Sequence, residues 1–259
     1  MRKKTIICLI SLFLIVNVFG IIGCGKDSNS NSNPGSKCLI YEKKYDNGKG
    51  YYVIVGVNDK DVMNIIIPNK YKKLPVCEIA NNAFSNCALL QTVTIGNSVH
   101  TIGDYAFYFC SSLRTVNTIT NITKIGNYSF YNCSSLTSIV VPSCVTRIGE
   151  GAFFNCTSLT SAIIASSITN SSLGDFAFQG CSALTDITIG AGINVIGMNV
   201  FSQCYSLSNA IFDDESKWKV TMSKDNRYGF IGGSSVSLVS PSDNAKLLRF
   251  TYVDYYWYK

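Results

Sequence analysis

The stretch Ile102-Gly103-Asp104-Tyr105-Ala106-Phe107-Tyr108-Phe109-Cys110-Ser111-Ser112-Leu113 decides the fold, because the chain carries six versions of it. Its Phe recurs as Phe84, Phe107, Phe130, Phe153, Phe178 and Phe201, at intervals of 23, 23, 23, 25 and 23 residues. Three residues after each Phe comes a Cys (Cys87, Cys110, Cys133, Cys156, Cys181, Cys204), and three further on a Leu (Leu90, Leu113, Leu136, Leu159, Leu184, Leu207). Five residues before each Phe stands Ile79, Ile102, Ile125, Ile148, Leu173 or Ile196, followed by Gly in every copy but the first, which has Ala80. Such a register marks a structural unit that cannot bury its apolar face alone and is stabilised by stacking on its neighbours.

Each unit predicts one short strand just after its Leu. Val93-Thr94-Ile95, Ile139-Val140-Val141 and Ile187-Thr188-Ile189 alternate so that the outer two residues point into the core and the middle one points out. Stacking these strands gives a parallel sheet. A second segment, near Val99 to Ile102 and Val145 to Ile148, runs along another side, and a single helical turn is expected to carry Ala-Phe and the Cys inward. The phrase Ile-Gly-x-x-Ala-Phe-x-x-Cys-x-x-Leu-x-x-Ile-x-Ile resembles the BspA-like leucine-rich-repeat family of bacterial and protozoan surface proteins, from about Ile65 to Phe212. The resemblance implies a leucine-rich-repeat solenoid, a surface location and adhesion to host proteins or other cells.

The ends of such a stack must be sealed. Leu39 to Tyr45 and Tyr51 to Val57, joined through Asp46-Asn47-Gly48-Lys49-Gly50, read as a β-hairpin, and Ile65-Ile66-Ile67 opens the sheet as a half repeat. Ser240-Pro241-Ser242-Asp243 carries the start signals of a short helix bearing Ala245, Leu248 and Tyr252. Trp218, Trp257 and the tyrosines of the tail supply bulk over the last repeat.

Ahead of the repeats, Arg2, Lys3 and Lys4 precede an apolar run from Ile6 to Ile22, the pattern of an export signal. A run of that length also approaches a membrane span. Ile21-Ile22-Gly23-Cys24 resembles the lipobox of bacterial lipoproteins, which implies cleavage before Cys24 and a diacylglycerol on its thiol. The expected organisation is a signal peptide over 1–23, a polar, low-complexity tether over 24–37 and a repeat domain over 38–259. Within that domain 38–64 forms the N-terminal cap and 213–259 the C-terminal cap. The anchor would be the protein's only contact with the membrane.

The formal net charge is +6, of which three charges leave with the signal, and the positive residues are scattered along the sequence, which argues against nucleic acid as a partner. Of eleven cysteines, Cys8 leaves with the signal and Cys24 is assigned to the lipid, so nine remain and cannot all pair internally. The six repeat cysteines read as buried, reduced thiols; Cys38, Cys77 and Cys144 fall outside that ladder. No metal site is expected: His100 is the sole histidine, and no Cys-x-x-Cys occurs. No nucleophile elbow accompanies His100, and Asp104, Glu150 and Asp175 fall in variable positions, so neither catalysis nor a cofactor is expected.

Binding is the expected function, ahead of a passive envelope role and of an enzyme. The partners are host or bacterial surface proteins or glycans. Two faces are candidates. The outward strand positions Thr92, Thr94, Thr115, Asn117, Ser138, Val140, Ser161, Ile163, Asp186 and Thr188 are small and almost uncharged, which suits either a flat partner or simple strand propensity. On the turn side, rotation by about 100° per residue places Tyr105, Tyr108 and Phe109 outward. Tyr128, Tyr131, Phe154 and Phe176 continue that stripe, and these rings suit either partner anchoring or packing on one another.

Overall fold

The computed structural model describes residues 38–117, 120–165, 171–214, 218–221, 234–236, 241–251 and 256–258. The described part begins with the expected hairpin, β1 (Leu39–Asp46) against β2 (Lys49–Val57), with register Asp46↔Lys49 at the turn. Asn47 and Gly48 form that turn with φ of 47° and 78°, the left-handed pair that matches the twist of adjoining strands. β3 (Asn64–Ile67), β4 (Lys70–Tyr71) and β5 (Leu74–Ile79) follow, β4 folding back antiparallel on β5.

From there each repeat contributes two strands to two separate stacks. The first stack takes β3, β6 (Thr92–Ile95) and β8 (Thr115–Asn117) as one parallel sheet. A second parallel sheet continues it with β10 (Ser138–Val141), β12 (Ser161–Ile164), β14 (Asp186–Ile189) and β16 (Asn209–Phe212). The other stack joins β2 and β5 to β7 (Thr101–Ile102), β9 (Lys124–Ile125), β11 (Arg147–Ile148), β13 (Ser171–Leu173) and β15 (Ile193–Ile196). The second segment runs along another side as expected, its strands only two residues long in β7, β9 and β11, and it forms the longer ladder. It links the N-terminal hairpin to the last repeat.

Between the two stacks lies the arc that carries Ala, Phe and Cys. Ala106, Phe107 and Cys110 are fully buried as expected, but the arc is a run of overlapping four-residue turns, each closed by an N–H donating to the carbonyl three residues back, instead of a helical turn. Two residues per arc sit in the left-handed region: Asn82 and Asn86, Tyr105 and Phe109, Tyr128 and Asn132, Gly151 and Asn155, Phe176 and Gly180, Asn199 and Gln203. That alternation flattens the arc and aims every second N–H at the next repeat. Phe84 N–H donates to the Ala106 carbonyl at 2.8 Å, Phe107 to Ser129 at 2.7 Å and Phe130 to Ala152 at 2.8 Å. A helix would have closed those groups on itself.

Inside, the repeat phenylalanines stack in one column, with centroids 5.0 Å apart for Phe84–Phe107 and 5.1 Å for Phe107–Phe130. The repeat glycine is required by close approach: a Cβ on Gly149 would lie 2.5 Å from the Asn127 nitrogen. The same corner is clamped by side chains, Asn127 N–H donating to Asp104 Oδ1 at 2.8 Å and Glu150 N–H to Asn127 Oδ1 at 3.0 Å.

At the C-terminal end, α1 (Pro241–Lys246) and a wider helical turn over Leu247–Thr251 bury Ala245 and Leu248, two of the three residues that the expected helix was to bear. Arg249 Nη1 donates to the Leu207 carbonyl at 2.6 Å. β17 (Trp218–Thr221) and β18 (Ser234–Val236) pair antiparallel, and β19 (Tyr256–Tyr258) joins β17 to β15, burying Trp257. Ser240, Tyr252, the Trp218 side chain and the signal and tether segments lie outside the described residues.

Candidate functional site

The outward strand face is built by register. Ser138, Ser161, Asp186 and Asn209 pair along one column, and Val140, Ile163, Thr188 and Ile211 along the next. Their inward neighbours Ile139, Val141, Ala162, Ile164, Ile187 and Ile189 are buried, so the pleat turns the two columns out. Three members of the second column are apolar and well exposed: Val140 at 55%, Ile163 at 44% and Ile211 at 41%. Ile211 completes a column that the sequence reading began but did not extend into β16. The preceding sheet continues the face with Thr92↔Thr115 and Thr94↔Asn117.

Hydroxyls beside this face are engaged with backbone. Thr160 Oγ1 donates to the Thr137 carbonyl at 3.1 Å and Thr185 Oγ1 to the Thr160 carbonyl at 3.0 Å. They satisfy acceptors along the strand entries, which leaves the exposed apolar column as the chemically distinctive feature.

On the turn side the aromatic residues form two columns in ring contact. Tyr105 stacks on Tyr128 at 5.4 Å, and Tyr108, Tyr131 and Phe154 stack in series at 5.0 Å each. Cross-contacts tie the columns together, Tyr105–Tyr108 at 5.5 Å and Tyr128–Tyr131 at 6.0 Å. The first column is interrupted at Gly151, where the Tyr128 ring occupies the space a Cβ would need. Tyr128 is held there by donating its hydroxyl to Glu150 Oε1. Burial, together with that carboxylate, pushes its phenol well above the ordinary range. Tyr105 and Phe109 are the most open members, at 38% and 39%; Tyr108, Tyr128, Tyr131, Phe154 and Phe176 are half-buried.

The thiol ladder is inert by construction. Each repeat Cys after Cys87 donates to the carbonyl of the Phe one repeat back: Cys110 to Phe84 at 3.1 Å, Cys133 to Phe107 at 3.2 Å, Cys204 to Phe178 at 3.1 Å. All nine described cysteines are free thiols, and burial pushes those of Cys133, Cys181 and Cys204 far up. A shallow groove missed from sequence brings His100 beside Cys77, Glu78, Asp46 and Tyr51. Burial and then Glu78 push the Cys77 thiol up, against formation of a nucleophilic thiolate. No group of three metal-ligating residues occurs among the described residues.

The strand stacks and the clamped glycine corners match a known repeat. Residues 58–171 and 166–223 fit the model for the BspA type leucine rich repeat region, with six copies. The chain belongs to the BspA-type leucine-rich-repeat family. Among solved structures, this BspA-type chain is similar to a leucine-rich-repeat protein of T. pallidum, at 26% identity and a TM-score of 0.50, over 66% of this chain and 89% of the other. It is also similar to a leucine-rich cell surface protein of Faecalibacterium prausnitzii, at 28% identity and a TM-score of 0.54. That match covers 74% of this chain and 57% of the longer relative. No curated protein matches the chain. Among the described residues no helix is long and apolar enough to cross a membrane.

Proposed function

We propose that the protein is a surface lipoprotein, anchored through Cys24, that binds partner proteins on the outward strand face of its solenoid. The observation that carries this reading is the register-aligned column in which Val140, Ile163 and Ile211 are exposed and Thr188 is half-buried, on a sheet whose inner face is fully packed. Apolar side chains held rigidly in line lose little entropy when covered, which makes them suited to anchor a protein surface. The family and the cell-surface relative support an extracellular location, and the polar segment 24–37 supports a tether between membrane and repeats.

The test uses the mature chain against immobilised matrix proteins, mucins and surface proteins of co-resident bacteria. Lys at Thr94, Asn117, Val140 and Ile163 should cut the affinity for any partner found by tenfold or more, since a central anchor contributes about 2 kcal/mol, while the melting temperature holds. Unchanged affinity removes this face from the reading. Intact mass of the native mature form tests the anchor independently; a Cys24 without diacylglycerol overturns that part alone.

A further inference from the structure

We propose that the N-terminal cap is a second membrane contact, a lysine and tyrosine face that docks on anionic phospholipid headgroups beside the lipid anchor. The inference rests on Cys24 as the anchor site, and it adds to the proposed function a surface with its own partner.

Charge is the first observation. Residues 38–75 hold seven lysines against four acids, whereas 76–259 hold ten Lys and Arg against eleven acids. The excess that appears scattered in sequence therefore lies at one end of the solenoid. The fold then gathers part of it onto one face. The β4–β5 hairpin lies across β1: the Tyr71 ring stacks on Tyr41 at 3.8 Å, and Leu74 meets Gly50 beside Lys43 and Tyr45. Lys43 Nζ sits 4.9 Å over the Tyr45 ring and Lys72 Nζ 5.4 Å over the Tyr71 ring. Lys43, Lys70, Lys72 and Lys73 are all exposed, and none makes an ion pair among the described residues.

The turn itself is the second observation. Lys72 and Lys73 have φ of 44° and 69°, consecutive left-handed residues in a two-residue hairpin turn. Asn-Gly is the pair that turn favours and the pair the neighbouring hairpin uses at Asn47-Gly48. Two lysines there carry a conformational cost against which only the Lys72 contact with the Tyr71 ring is set, as expected where the charge itself is the function.

Position is the third. β1 is the terminal strand of its sheet, and the chain entering it at Cys38 runs back only through residues 25–37 to Cys24. Thirteen residues reach at most about 45 Å, so an acylated Cys24 holds this end of the solenoid near the bilayer. Lysines beside tyrosines suit the headgroup region, where stems and rings bury their apolar parts and keep their polar ends wet.

The experiment uses the mature chain with Cys24→Ser, so that no acyl chain contributes, in sedimentation with vesicles of phosphatidylcholine alone or mixed with phosphatidylglycerol. Binding is expected only to the anionic vesicles and should vanish as salt is raised. The double variant Lys72→Asn/Lys73→Gly should bind those vesicles about thirty-fold more weakly while melting at a higher temperature, a pairing that loss of folding cannot produce. Equal binding by the variant, equal binding to neutral vesicles, or binding only to soluble heparin would each overturn the proposal. Failure of the anchor reads out separately, as the missing lipid mass on native Cys24.

Discussion

The Sγ of Cys133 donates to the carbonyl oxygen of Phe107, 3.2 Å away and one repeat back, and the Cys110, Cys156, Cys181 and Cys204 thiols repeat the contact. The repeat position thus needs a side chain small enough for the Phe column and able to donate. Burial keeps each of these thiols protonated above its ordinary range.

Two outcomes follow for the thiols. In the native protein, among the described cysteines, an alkylating reagent should modify the partly exposed Cys144 first and Cys77 more slowly, its thiol being pushed up by burial and Glu78, and leave the buried Cys38 and the six ladder thiols until denaturant is added. Because the folded state holds protons that the unfolded thiols release above about pH 8.5, stability is full below that pH and falls as pH rises through it. Thermal melts across this range check the sign, and the slope should shrink in Cys133→Ala.

A methyl group at the glycine corner should be felt at once. Gly149→Ala would press its Cβ against the Asn127 nitrogen and the Gly126 carbonyl carbon, both at 2.5 Å and both backbone, and is expected to cost about 3 kcal/mol. Gly56→Ala meets nothing closer than 3.6 Å and should stay within about 0.5 kcal/mol. Denaturant titration of the two variants separates close approach from a general loss of backbone freedom.

The left-handed residues of the arc give a third test. Asn132 has φ of 55°, so Asn132→Gly should be tolerated, while Asn132→Val should cost about 1–2 kcal/mol. Equal melting temperatures for the two would show that the arc relaxes to accommodate either residue.

Phe107, Cys110 and Leu113 were legible as core because burial in a repeat protein is dictated by period, and the period is unmistakable. The arc departs from the expected helical turn although Ala106, Phe107 and Cys110 are spaced as one helical turn would require, because successive four-residue turns meet the same spacing. A corrective signal was present: Asn82, Asn86, Asn132, Asn155 and Asn199, with Gly151 and Gly180, occupy the two left-handed columns, and Asn and Gly are the residues most at home there. Tyr105 and Phe109 hide it in the repeat that is easiest to read. The exposed column was only partly legible, since Val140 and Ile163 gain meaning from Ile211, and that alignment depends on β12, β14 and β16 keeping register across the 25-residue repeat. The lysine face was not legible at all, because the hairpin that carries Lys72 is laid on the strand that carries Lys43 only by the fold, through the Tyr41–Tyr71 ring stack.

The last prediction concerns the aromatic stripe, for which both partner anchoring and self-packing suit the sequence. Tyr131 contacts Tyr108 and Phe154 at 5.0 Å, Phe109 at 5.6 Å and Tyr128 at 6.0 Å, so its ring is the junction of both columns. Each aromatic pair contributes about 0.5–1.5 kcal/mol beyond its buried area, and Tyr131→Ser should therefore destabilise the protein by about 3 kcal/mol. Tyr105→Ser, with two ring partners and greater exposure, should cost about half as much. Changing Tyr108, Tyr131 and Phe154 together should lower the melting temperature steeply and leave the affinity for a strand-face partner unchanged. A triple variant that melts like the parent but loses its partner would reverse the assignment, making the stripe the docking surface and the strand face a structural one.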